Sequence, residues 1–368
     1  MTQRHAEIAG AGFAGLTAAT ALALRGWSVR IHEVSAAPRA YGAGIFLWEN
    51  GLTVLREIGA YDDVMTNAHE ASRMDDFDAD GELMFSRPLP IPQGSRLVTM
   101  ARQDLYAPVL KAARDAGVDI VTDSMAVSAS PEGELILADK RRLKADLVIA
   151  ADGLRSMIRT SLSMEKEHLV FPIGIFRTLV ERSSEELADD KWNSYINFWN
   201  EGRRVLYVPC NSKDLYVLLG AKIPDPEALS RPFAPDEWTR SFPGLASIFS
   251  RIGPADLRFD QYEVMRCRAW STGRVALIGD AAHGMPPTMG QGAGSGMMNA
   301  WKLASALDRF ETIEEALSAW EAEERPTTEH TQAISVGRTF EWPPRKESKS
   351  ASWTADDAKP ALHMMQGR

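Results

Sequence analysis

The sequence predicts an α/β protein in which a Rossmann-like dinucleotide-binding domain is interrupted by an inserted, mostly antiparallel β-sheet domain. Three observations lead there. A glycine-rich turn, Gly10-Ala11-Gly12-Phe13-Ala14-Gly15, follows a short apolar strand and opens an alanine- and leucine-rich helix. Two continuous apolar runs of the buried-strand kind, Leu147–Ala151 and Val275–Ile278, lie far downstream. Between them, residues 166–262 are rich in aromatic and β-branched residues.

Taken in order, Ala6–Ala9 reads as a strand, Gly10–Gly15 as a turn, Leu16–Arg25 as a helix closed by Gly26, and Trp27–Glu33 as a second strand with Val29 and Ile31 alternating. In the inserted region, Ile173–Phe176 and Tyr195–Trp199 read as strands. Arg204–Val208 and Leu215–Leu219 read as a hairpin turned at Pro209–Asp214. Residues 296–325 read as helical, and the polar, proline-punctuated stretch from Pro343 onward is given no element. The expected division is 1–70, 96–165 and 263–330 for the nucleotide domain, 71–95 and 166–262 for the inserted substrate domain, and 331–368 for a C-terminal tail.

Composition narrows the function. The chain has 368 residues, 45% apolar and 25% charged, with a net charge of -9, which disfavours nucleic acid as a partner. Two cysteines, Cys210 and Cys267, show neither metal-ligand nor disulfide spacing, so a reducing, cytoplasmic setting is expected. Polar Thr2–His5 leads straight into a strand rather than a signal peptide. No apolar run reaches the roughly 18 residues a membrane span needs, so no stable membrane insertion is expected.

Three motifs carry the chemistry. In the first turn, glycines permit a tight bend and close backbone approach, and the helix N-terminus faces a pyrophosphate. Glu33 follows Gly15 by 18 residues and ends the second strand, where a carboxylate accepts bonds from a ribose 2′-hydroxyl. That motif alone does not separate FAD from NAD. The second motif is Asp152-Gly153 with Arg159, after a buried strand. The third is Gly279-Asp280 running through His283 and Pro286-Pro287 to Gly290-Gln291-Gly292.

Together and in this order, the three motifs resemble those of the group A flavoprotein monooxygenases, the para-hydroxybenzoate hydroxylase-like family, over about residues 5–325. The stretch from Arg39 through Leu52, with Trp192-Asn193, Arg204–Asn211 and Leu215-Tyr216, is similar to the branch that oxygenates hydroxypyridine carboxylates. The resemblance implies non-covalent FAD, NADH or NADPH as reductant, and O2 adding at flavin C4a before one oxygen passes to a small aromatic or N-heteroaromatic acid or phenol. It also leaves open oxygenation with opening of the ring of a hydroxypyridine-type acid, and, as a third reading, a flavin oxidase or reductase without oxygen insertion. A monomer or homodimer is expected.

Roles follow from the same resemblance. Gly10, Gly12, Phe13, Ala14, Gly15 and Glu33 hold the adenosine diphosphate half of FAD, and Asp280 bonds the ribityl chain. Pro287, Gly290, Gln291, Gly292 and Ala293 border the flavin ring, with Arg39, Gly44 and Ile45 near its entrance and Arg102 near the ribose and pyrophosphate. A helix starting near Gly292 directs its positive end at the ring edge that becomes anionic on reduction. Asp152 and Arg159 are structural or cofactor-linked, and His283 is structural. The substrate pocket is expected to hold Arg204, Tyr216, Phe46 and Met74. Phe46 and Met74 stand where the branch has tyrosines, which makes the pocket poorer in hydroxyls and the substrate different from its hydroxypyridine acid. Gly294 stands where many members have asparagine. Neighbouring Arg203 and Arg204 point to opposite faces of a strand, and the sequence leaves open which one faces the pocket. No side chain is assigned as general base, and His32, His69, His168 and His330 have no companions in the sequence.

Overall fold

The computed structural model describes residues 3–38, 43–90, 95–253 and 257–339. Its first layer is a six-stranded sheet in the order 271–272, 275–277, 147–150, 5–9, 28–32, 119–121, parallel except for the short edge pair. The two downstream apolar runs flank one another beside the first strand, with Ala6 opposite Leu147 and Val148 opposite Val275. Ala6, Ile8, Leu147–Ala150 and Val275–Leu277 are completely buried, as continuous apolar strands of a parallel sheet covered on both faces must be. The helix Phe13–Ala23 is apolar nearly all round and is buried accordingly.

The second layer is a seven-stranded sheet in the order 258–267, 165–181, 214–222, 203–209, 195–199, 73–78, 83–88. Its pairs are antiparallel except 195–199 with 73–78. The hairpin read from the sequence is present, with Arg204 opposite Gly220 and Val208 opposite Tyr216. Side chains alternate between two faces, as the strand period requires. One face carries Phe176, Val180, Phe198, Val205 and Leu219 and packs on Trp238, Phe242 and Phe249. The other carries Ile175, Tyr195, Leu206, Tyr216 and Leu218 and packs toward Trp48 and Leu97, which pair in a separate two-stranded sheet of 44–48 and 97–101.

One element departs from expectation. The helix expected to end at Arg325 runs from Ile313 through Pro326 to Thr339, so residues 331–339, expected as tail, are helical. Proline removes one backbone donor, but side chains on both sides of it fasten the helix. Arg325 pairs with Glu321 and Glu329 and donates to the carbonyls of Cys267 and Arg268. Gln332 Nε2 donates to the carbonyls of Met265 and Gly284. No helix among the described residues is long and apolar enough to cross a membrane. Arg39 and residues 340–368 lie outside the described residues.

Candidate active site

The glycine turn is built as a cradle. Gly10 has φ +96°, and a Cβ there would lie 2.4 Å from the Ala151 carbonyl oxygen. A Cβ on Gly15 would lie 2.1 Å from the Gly10 carbonyl oxygen. These two glycines therefore let strand, turn and helix touch. Gly12 is different: a Cβ there meets nothing within 4 Å. Its open side faces a cavity, and the helix that follows has no side-chain cap at its N-terminus. Such a bare terminus beside an approachable backbone suits a phosphate. Glu33 sits against the turn, accepting from the backbone N–H of Ala11 and of Ser35 at 2.9 Å each.

The Gly279-Asp280 segment closes the cradle from the other side. Gly279 has φ +59° and packs against Ala14 and Gly296, so the first and third motifs meet. Asp280 opens onto the cavity. Its surroundings in the body of the protein desolvate it and raise its pKa, while Arg102 and Arg177 pull it down. Burial, with Arg177 adding, pushes Arg102 down to about 10, and Asp280 opposes the shift.

The helix Gly292–Ala306 begins at the cavity with no acidic residue in its first turn and no side-chain cap. Gln291, before it, is buried; its Oε1 accepts from Asn50 Nδ2 at 3.1 Å, while its Nε2 has no partner among the described residues. A Cβ on Gly294 would lie 2.7 Å from Asn50 Oδ1, so Asn50 fills the space that an asparagine at 294 would claim. The bare helix end and the open face of Gly12, both on the cavity, fit a bound FAD.

The cavity, about 540 Å³, reaches from this cradle to the inserted sheet. Its cradle side includes Gly12–Ala14, Gly44–Phe46, Arg102, Asp280, Pro287, Gly290, Gly292 and Ala293; its sheet side includes Ile175, Arg204, Leu206, Tyr216, Leu218 and Tyr262. Gly44 and Gly290 let the parts come this close, since Cβ atoms there would lie 2.4 Å from Tyr216 Cβ and 2.9 Å from Phe46 Cβ. Tyr216 is pushed up to about 12 by burial, against the pull of Arg177 and Arg204.

The strand pairing answers which arginine faces in. Arg203 lies on the outer face in a two-pronged pair with Asp225 at 2.7 and 2.9 Å. Arg204 lines the cavity. Its Nε and Nη2 donate to Asn197 Oδ1 at 3.0 and 2.6 Å, and its guanidinium lies 5.0 Å from the centre of the Trp199 ring.

Other expectations fall into place beside the cavity rather than in it. Gly10, Gly15, Glu33 and Gln291 support the cradle without lining the cavity. Met74 does not line it either: it pairs across from Tyr195 and packs into the core beneath the sheet. Asp152 Oδ2 accepts from the N–H of Met157 and of Ile158, and Arg159 bonds the carbonyls of Ala281 and Leu154, tying the second motif to the third. His283 is buried against Trp270, accepts from Asn299 Nδ2 at 3.1 Å, and is held down to about 4 by burial.

Three of the histidines without companions in the sequence do have them in the fold: His32 meets Glu7 at 2.8 Å, His168 meets Glu263 at 2.6 Å, and His69 Nε2 donates to the Asn193 carbonyl at 2.7 Å. The sequence reading missed Arg177, Arg258, Asp260 and Tyr262, all of which line the cavity. The one available signal was Arg177, a charge inside the apolar run Ile173–Val180.

Comparison with known proteins places these features in a wider set. A family model described as an FAD binding domain matches residues 4–334. The chain is 38% identical to a 2-heptyl-3-hydroxy-4(1H)-quinolone synthase of Mycobacteroides abscessus, over 91% of this chain and 90% of that one. It is 38% identical to 2-methyl-3-hydroxypyridine-5-carboxylic acid oxygenase, solved in a tetrameric form, with a TM-score of 0.90 over 98% of this chain and 96% of that one. A Klebsiella pneumoniae protein solved with FAD and uric acid shares the fold at a TM-score of 0.82 and 24% identity, over 99% of this chain and 95% of that one.

Proposed function

This chain belongs to the FAD binding domain family and is an FAD-dependent aromatic monooxygenase, and from that premise we propose that it uses NADH or NADPH and O2 to hydroxylate an aromatic or N-heteroaromatic acid or phenol. The observation that carries the reading is Arg204, a cation at the sheet end of a cavity whose other end is the flavin cradle. A guanidinium presented to the cavity beside Leu206, Leu218 and Ile175 suits an anionic group, and a substrate carboxylate or ring oxyanion fits that place. The N-heteroaromatic compounds named for two relatives, a hydroxyquinolone and a hydroxypyridine carboxylic acid, carry oxygen substituents of this kind.

FAD supplies the activation of oxygen and the oxygen transfer when bound. Gly12, the N-terminus of helix 13–23, Arg102 and Asp280 would hold it, and the N-terminus of helix 292–306 would favour negative charge on it. Phe46, Ile175, Leu206 and Leu218 on the cavity wall shield the reacting oxygen and ring from water. Arg204 stabilises the ionised ring oxygen or carboxylate and fixes which edge of the substrate faces the cradle. His283 is buried and bonded to Asn299, and Tyr216 holds its proton firmly, so neither acts as the base at neutral pH. The substrate's own ionisation, favoured by Arg204, activates the ring.

A screen of aromatic acids, phenols and hydroxylated N-heterocycles tests the reading: a true substrate stimulates NAD(P)H oxidation together with oxygen uptake and gives a product heavier by one oxygen atom. A panel in which no compound stimulates either would refute it. The likeness to the hydroxypyridine enzyme favours a second reading, oxygenation with ring opening. Phe46, on the cavity wall without a hydroxyl, is the reason hydroxylation is preferred.

A further inference from the structure

Arg204 sits at one end of a chain of contacts that nothing in the chemistry above uses. Across the inserted sheet, Arg204 pairs directly opposite Trp199, and Asn197 pairs opposite Asp76 on the next strand. The alternation of strands brings all four side chains to the cavity face. Asn197 takes the Nε–Nη2 edge of Arg204, and Trp199 lies beneath the guanidinium. The Trp199 indole N–H donates to Asp76 Oδ1 at 2.8 Å, and the other oxygen of Asp76 accepts from Arg87 Nη2. Asp76 and Asn197 are only 2% and 4% exposed. A buried carboxylate is expensive, and this one gives one oxygen to a tryptophan that underlies a cation.

We propose that Trp199 and Asp76 are positioning residues for substrate recognition: Asp76 locks the indole plane, the plane carries the Arg204 guanidinium, and Asn197 fixes its rotation. The assignment rests on the reading of Arg204 as the substrate's anion partner. An arginine held on two sides loses little freedom when a ligand arrives, so the gain from its charge goes into binding rather than into ordering the side chain. Arg87 completes the chain by neutralising Asp76. Burial, with Arg338 and Arg204 adding, disfavours the Arg87 charge, and Asp76 opposes that effect.

The test is a double-mutant cycle on the FAD-loaded enzyme. Dissociation constants of 2-methyl-3-hydroxypyridine-5-carboxylic acid and of 2-heptyl-3-hydroxy-4(1H)-quinolone are read from the flavin absorbance change. Trp199→Phe keeps an aromatic face but loses the indole donor that fixes its plane, and it should weaken binding of whichever probe binds by at least about twofold, with the roughly thirtyfold worth of a whole desolvated cation–π contact as the ceiling. In an Arg204→Met background the same change should have less than about a twofold effect, because the residue it acts through is gone. Asp76→Ala, which removes the acceptor of the indole N–H, should show the same pattern, with FAD content unchanged throughout. An equal loss in both backgrounds, or no loss at all, overturns the positioning role and leaves Arg204 as substrate partner. Unaltered binding in Arg204→Met alone, or failure of both probes to bind the wild type, overturns the underlying reading and this proposal with it.

Discussion

Replacing Gly12 by alanine should damage cofactor binding and leave the fold intact, while the same change at Gly15 should do the reverse. At Gly12 the backbone has φ −77° and ψ −178°, which any residue adopts, and an added Cβ touches nothing within 4 Å. The apo-protein should be as stable as wild type, or more stable by about 0.4–1 kcal/mol through a less flexible unfolded chain. The methyl group would nevertheless project into the space where a pyrophosphate must meet the turn. Loss of one charge-assisted hydrogen bond costs about 1.5–3 kcal/mol, or roughly 10- to 150-fold in FAD affinity. At Gly15 the added Cβ would lie 2.1 Å from the Gly10 carbonyl oxygen, a backbone atom that cannot swing aside. Overpacking of this kind costs about 1–3 kcal/mol or more, felt without any ligand. The assay is thermal unfolding of the two apo-proteins beside FAD titration by flavin fluorescence. If Gly12→Ala binds FAD like wild type, or if its apo-form is the unstable one, the assignment of the open glycine to the phosphate is refuted.

Other perturbations have equally definite outcomes. Arg204→Met should raise the substrate dissociation constant by roughly 10- to 150-fold, a loss of about 1.5–3 kcal/mol, without loss of FAD; Arg204→Lys should recover part, since lysine keeps the charge but not the planar fork. Asp280→Ala should purify mostly as apo-protein, read from the ratio of flavin to protein absorbance, because a polar anchor at the cavity is removed. Glu7 is buried between His32 and His5; burial raises its pKa, but the hydrogen bonds from the two histidines outweigh it and hold the carboxyl below its ordinary 4.5. A carboxylate with a depressed pKa stabilises the fold above its unfolded value, and that contribution is lost as pH falls through the folded value. Acid unfolding of wild type should therefore steepen below 4.5, and Glu7→Gln should flatten that fall; identical acid limbs would remove Glu7 from the balance.

What could be read from the sequence, and what could not, follows from how local each feature is. Leu147–Ala151 and Val275–Ile278 could be placed as buried strands because a sheet covered on both faces demands continuous apolar residues, a pattern visible in a short window. The roles of Gly10 and Gly15 were equally local. The facing of Arg203 and Arg204 was not, since either register gives an alternating strand and only pairing with residues 214–222 chooses. The helix was expected to end at Arg325, yet Arg325 and Gln332 fasten it to residues 265–268 and 284, far away in sequence. Asp76 sat in a short acidic stretch that reads as a solvated edge, and only the neighbouring strands reveal it beneath Trp199. Asn50 supplying the bulk missing at Gly294 is a compensation across 244 positions that no window would show.

The most direct test of the central claim is the fate of labelled oxygen. The FAD-loaded enzyme, supplied with NADH or NADPH, a binding aromatic compound from the screen and 18O2, should yield a product with an intact ring and one atom of 18O, measured by mass spectrometry. Hydrogen peroxide as the sole fate of oxygen, with every bound compound recovered unlabelled, would contradict it.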